Sequence, residues 1–134
     1  MSISRKKIVM ILIMLFLLLA LIFGTAYIDR VGEYKRAVKE TTIEEVNILD
    51  IPDGVYIGEY DVNFIYAKVE VDVSGGKIID VHILEHRQER GKAAEAVANE
   101  IVDEQRIDVD TVSGATNSSI VIKKAVEVAL KGNA

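Results

Sequence analysis

Between Ile8 and Tyr27 the chain carries no charged residue and is almost wholly apolar, and a helix over that stretch is long enough to cross the hydrocarbon core of a bilayer. It therefore reads as an object separate from the rest. Arg5, Lys6 and Lys7 precede the run, while Asp29 and Arg30 come after it nearly balanced. The positive-inside bias then predicts a short cytoplasmic N-terminus at 1–7, a transmembrane anchor at 8–27 and an extracytoplasmic remainder in a single-pass protein of the cell membrane. A cleaved signal peptide is the competing reading, with Gly24-Thr25-Ala26 offering small residues at a cleavage point. Against it, the apolar run exceeds the about 7 to 15 residues usual for a signal core.

The chain has 134 residues, a formal net charge of −5 and no cysteine. Setting aside the three basic residues before the apolar run leaves −8 for the remainder, a surface that repels nucleic acid, and no basic stripe with interleaved aromatics offsets it. The missing cysteine excludes disulfides, zinc–thiolate sites, iron–sulfur clusters, c-type haem attachment and an acylated lipoprotein anchor. The stretch beyond the anchor suffices for one compact domain, which favours a carrier or a subunit over a self-contained multi-substrate enzyme.

Residues 28–52 mix charges with scattered apolar side chains and read as a stalk or linker that continues the helix. Ile51-Pro52-Asp53-Gly54 breaks it, so the domain proper is expected over 53–134. Val55 and Ile57 mark a first strand to about Val62. Ala67, Val69, Val71 and Val73 alternate with Lys68, Glu70 and Asp72 as a half-buried strand should. Ser74-Gly75-Gly76-Lys77 supplies a hairpin turn, after which Ile79, Val81 and Ile83 are expected to continue the buried face. His82 and His86 have the spacing of a helical metal pair, yet on a strand they would stand about 13 Å apart, too far for one ion. Ala94, Val97, Ala98, Ile101 and Val102 then form the apolar face of an amphipathic helix, and Ile122, Ala125, Val126 and Ala129 that of a last helix. The whole predicts an α+β fold, a small antiparallel sheet packed by two helices and preceded by one N-terminal transmembrane helix.

Just ahead of that last helix stands Asp110-Thr111-Val112-Ser113-Gly114-Ala115-Thr116. Gly114 and Ala115 leave the backbone open to a bulky group. The amides opening the last helix are unpaired donors at its positive end, suited to phosphate. Thr, Asn and Ser before an apolar helix are also what ordinary N-capping looks like, and on spacing and composition alone capping is the stronger reading. Asn117-Ser118-Ser119 also fits a glycosylation acceptor, a triplet short enough to recur by chance.

From Asp53 to about Lys131 the sequence resembles the FMN-binding domain family, found in a subunit of sodium-pumping NADH:quinone oxidoreductases and in related electron-transfer proteins. The family's attachment pattern is Asp, two variable residues, Ser or Thr, Gly, Ala, then Thr or Ser, and every fixed position is filled here by Asp110, Ser113, Gly114, Ala115 and Thr116. Asp53-Gly54-Val55-Tyr56, the strand pair across Gly75-Gly76 and Leu84-Glu85-His86 match more loosely, and in order. The family's glycine-rich, aromatic stretch after the first strand is replaced by Glu59 to Tyr66. The resemblance implies FMN moved from FAD by a flavin transferase onto Thr116 as a phosphoester. Ser113, Gly114 and Ala115 would lie at the cofactor, and Asp110 and Gly114 would be read by the transferase. It also implies electron transfer with a redox partner protein, and a histidine, here His86, near the cofactor. Tyr56, Tyr60, Phe64 and Tyr66 are the aromatic side chains available to a flavin ring. Two other readings are a flavin reductase acting on a small substrate or quinone, and an anchored interaction domain that binds FMN weakly or not at all.

Overall fold

The structure, a computed structural model, describes residues 2–88 and 92–132. It divides into two compact units, Met1–Glu33 and Tyr34–Ala134. The first consists of the greater part of helix α1 (Arg5–Glu40), whose apolar side chains from Ile8 to Ile28 are exposed. Among the described residues this is the one helix long and apolar enough to cross a membrane, a property shared by anchors and N-terminal signal sequences.

The second unit is α+β. Strands β1 (Gly54–Asp61), β2 (Tyr66–Ser74) and β3 (Lys77–Arg87) form an antiparallel meander in the order β1-β2-β3. Helices α2 (Ala96–Glu104) and α3 (Thr116–Lys131) come next, α2 packing on β3 and α3 on β1 and β2. The expected alternation of β2 holds, with Ala67, Val69, Val71 and Val73 buried among the helix side chains Val97, Ile101, Ile122 and Val126. Gly75 and Gly76, at φ 61° and 73°, make the two-residue hairpin turn whose left-handed positions suit glycine.

Strand β3 departs from simple alternation. Its pairing to β2 slips twice: Asp72 faces Asp80 while Val73 faces Ile78, and Lys68 faces Glu85 while Val69 faces Ile83. Ile79 and Leu84 are thus the extra residues of two bulges, each of which reverses the inward parity. Ile78 is buried and Ile79 is 50% exposed, so the expectation of a buried Ile79 is corrected. The amide of Val81, next to the first bulge, is taken by the Asp80 carboxylate at 2.8 Å. Gln105, left-handed at φ 54° where it ends α2, receives the Ile78 amide on its side-chain oxygen and donates back to the Ile78 carbonyl.

The compact unit also begins ahead of residue 53. The helix runs on to Glu40 as the sequence indicated, but Val38 and Ile51 enter the core, and Tyr34, Ile43, Val46 and Ile48 pack against it. The scattered apolar residues of this stretch, too irregular to show a period, are those that face the domain. Its polar groups are engaged as well: Thr41 bonds Tyr60, and the Glu44 amide donates to the Glu127 carboxylate.

Position 58 sets how closely α3 lies on the sheet. A Cβ on Gly58 would overlap the Ala125 carbonyl and the Ala129 amide, and would stand 2.8 Å from the Ala129 Cα. Backbone, not a flexible side chain, blocks the way. Gly58→Ala is expected to cost about 1–3 kcal/mol by forcing helix and strand apart. At Gly54 an added Cβ meets only the Tyr56 ring at 3.5 Å, so Gly54→Ala should change little. Thermal unfolding of the detergent-solubilised chain compares the two.

Candidate functional site

Residues 105–115 connect α2 to α3, and polar groups hold this connection from two sides. Ile107 and Val109 are fully buried, which leaves their backbone in need of partners. The Glu45 carboxylate accepts the amides of Ile107 at 3.0 Å and Asp108 at 2.7 Å. From α3, the Lys123 ammonium donates to the Asp108 carboxylate and to the Val109 carbonyl, each at 2.8 Å. Lys123 is 4% exposed, and these two acceptors are what make burying its charge tolerable.

The chain then turns. The Ala115 amide donates to the Val112 carbonyl at 2.9 Å, closing a four-residue turn whose third residue, Gly114, sits at φ 79°. A type II turn needs that left-handed position, which glycine takes without strain. The fully buried Ser119 spans the turn from inside the helix: its hydroxyl accepts the Val112 amide at 3.0 Å and donates to the Ala115 carbonyl at 2.8 Å.

Helix α3 starts at Thr116, with Ala115 as the capping residue and no side-chain cap. The Ser119 amide makes the first helical bond, to the Ala115 carbonyl. The amides of Thr116, Asn117 and Ser118 precede it and have no acceptor within the helix, so their donors lie at its positive end. Reading Thr116, Asn117 or Ser118 as the ordinary side-chain cap is therefore corrected. Thr116 is exposed at the first helical position, and Asp110, Ser113 and Gly114, which precede it in the chain, are exposed as well. Nothing stands within 4 Å of where a Gly114 Cβ would be. An accessible hydroxyl, an open backbone and a helix start without a side-chain cap are the features a phosphoryl group requires, and the residues present fit one.

The four candidate aromatic residues have partners in the scaffold. The Tyr56 hydroxyl donates to the Pro52 carbonyl, Tyr60 bonds Thr41 at 2.8 Å, and Phe64 meets Tyr34 edge to face at 5.2 Å. Tyr66 donates to Glu59 at 2.6 Å and lies beneath the Arg87 guanidinium. The bond to Glu59 opposes loss of the phenol proton, and the Tyr66 pKa is pushed up to about 12.

His82 is exposed beside Asp80. The second bulge of β3 turns His86 inward, where its side chain is 3% exposed, 3.9 Å from Glu95, with neither ring nitrogen hydrogen-bonded. Burial pulls its pKa below the ordinary value and Glu95 only partly restores it.

The sequence pattern of the FMN-binding domain family matches residues 63–131, just over half of the chain, from the approach to β2 to the last residue of α3. The chain belongs to that family. No curated protein matches it. Membership makes this a flavin-binding protein, and the attachment pattern lies inside the matched region, whereas β1 and the segment from Tyr34 precede it.

Ser119 and Lys123, which hold the loop of this FMN-binding domain, and Glu127, which takes the Glu44 amide, escaped the sequence reading. The three recur every fourth residue along α3 and are all nearly fully buried. That polar row within an apolar helix was the available signal. Glu45, in an irregular segment far away in the chain, offered none.

Because folding holds the His86 pKa below its ordinary 6.5, the unfolded chain gains this proton first as pH falls. The associated stability is complete above about pH 6.5 and declines below it. Thermal unfolding between pH 7.5 and 5.5 should show this decline in the wild type and a shallower one in His86→Leu.

Proposed function

We propose that the chain is a membrane-anchored extracytoplasmic electron carrier in which FMN is joined through a phosphoester to Thr116. The observation that carries this reading is the start of α3: an exposed threonine at the first position of a helix with no side-chain cap, after a glycine turn, inside the region matched to the FMN-binding family. A noncovalent flavin outside the cytoplasm would be lost by dilution, and an ester at Thr116 prevents that without a deep pocket.

In the attachment step the Thr116 oxygen bonds to the phosphorus of the FMN half of FAD. The pyrophosphate P–O bond breaks, AMP leaves with the electron pair, and the hydroxyl proton passes to the flavin transferase. Nothing is oxidised or reduced. The open amides of Thr116, Asn117 and Ser118 would hold the phosphate oxygens, Ser113, Gly114 and Ala115 would border the group, and Asp110 with Gly114 would be recognised by the transferase. Once attached, the isoalloxazine accepts and returns one or two electrons. The donor and acceptor would be partner proteins, and the apolar part of α1 would keep the domain at the membrane with its N-terminus in the cytoplasm.

Coexpression with a flavin transferase, denaturation and intact-mass measurement should reveal one added FMN, mapped to the Thr116 peptide. Thr116→Ala should abolish the adduct and shift stability by no more than about 0.5 kcal/mol, since this threonine caps nothing. A colourless, unmodified wild-type chain would instead favour a domain acting through protein contacts alone.

A further inference from the structure

Ser119 contributes more than packing. It lies one helical turn beyond Thr116, is fully buried and does not reach the surface where Thr116 is exposed. Alanine would fill nearly the same space and favour the helix more, so neither volume nor helix propensity calls for a hydroxyl here. Its oxygen joins the two residues that also close the turn on each other, Val112 through its amide and Ala115 through its carbonyl. The turn is thereby fastened to the helix at both ends. Without the hydroxyl, the Ala115 carbonyl keeps the Ser119 amide, but the part-buried Val112 amide loses its acceptor.

We propose that Ser119 is a positioning residue for flavin attachment. By holding Val112 and Ala115, it fixes the direction in which the turn presents the Thr116 hydroxyl to the phosphorus of FAD. The inference rests on Thr116 being the attachment point. Ser119 itself exchanges no atom in the step: the bond formed is Thr116 oxygen to phosphorus, and the bond broken is the pyrophosphate linkage that releases AMP. An error of about 1 Å in such a nucleophile costs on the order of a hundredfold in rate.

The test uses the full apo-chain in detergent, purified transferase and FAD, with FMN incorporation measured by intact mass. Wild type, Ser119→Ala, Ser119→Cys and Thr116→Ala are compared, and hydrogen exchange is measured on the same apo-proteins. Ser119→Ala should keep the circular dichroism of the wild type and the exchange protection of β2. The Val112 amide should exchange at least tenfold faster, and kcat for attachment should fall at least tenfold with KM for the chain unchanged. Ser119→Cys, similar in size but a weak hydrogen-bonding partner, should fall between. Equal kcat in wild type and Ser119→Ala overturns the inference, as does a loss confined to KM. Should Ser119→Ala fail to fold, Ser119→Cys decides, a wild-type rate overturning the inference and a reduced kcat supporting it. A wild type that takes up no FMN sinks the attachment reading and this inference with it, an outcome distinct from wild type and Ser119→Ala labelling alike.

Discussion

Helix α3 lies so close to β1 that the backbone around Ala125 and Ala129 occupies the space a side chain at position 58 would need. Strand and helix meet there with only the hydrogens of Gly58 between them. Ala125, Val126 and Ala129 can then reach the inner face of the sheet, where Val69 and Val71 are fully buried. This helix opens at Thr116, the proposed attachment residue, so the element that closes the core also carries the candidate site.

The same helix divides its sides between two tasks. Its apolar residues meet the sheet, while Ser119, Lys123 and Glu127 hold connecting segments that have no sheet or helix bonds of their own. Buried charges are tolerated only when paired, and each here has its partners: Asp108 and the Val109 carbonyl for Lys123, and Lys124, Lys131 and the Glu44 amide for Glu127. Removing their partners would leave Lys123 or Glu127 charged and dry, which makes these contacts specific as well as stabilising. They tie the segments near 45 and 108, more than sixty residues apart in sequence, to one helix.

Much of this was legible beforehand, because the signals were local. Period-two alternation marked β2, Gly75-Gly76 marked the hairpin, and the apolar positions of α2 and α3 marked their buried faces. Strand β3 was legible only in part. Both bulges depend on pairing with β2 and on Gln105 reaching across from the end of α2, and a linear pattern records neither. The inward turn of His86 arises from the second bulge and was hidden for the same reason. The packing of residues 34–52 was hidden because an irregular segment buries whichever side chains face its neighbour, at no fixed spacing.

Residue chemistry within short windows was enough to read the separate apolar helix, the α+β class, the hairpin and the resemblance to the FMN-binding family. The folded chain was needed to show that Ala115 rather than a hydroxyl side chain precedes α3, that Thr116 stands exposed while Ser119 is buried, and that Glu45 and Lys123 grip the loop from opposite sides. Capping or presenting a hydroxyl is a choice among rotamers and partners at one helix end. The partners that make the choice come from residues distant in the chain, which only folding brings together.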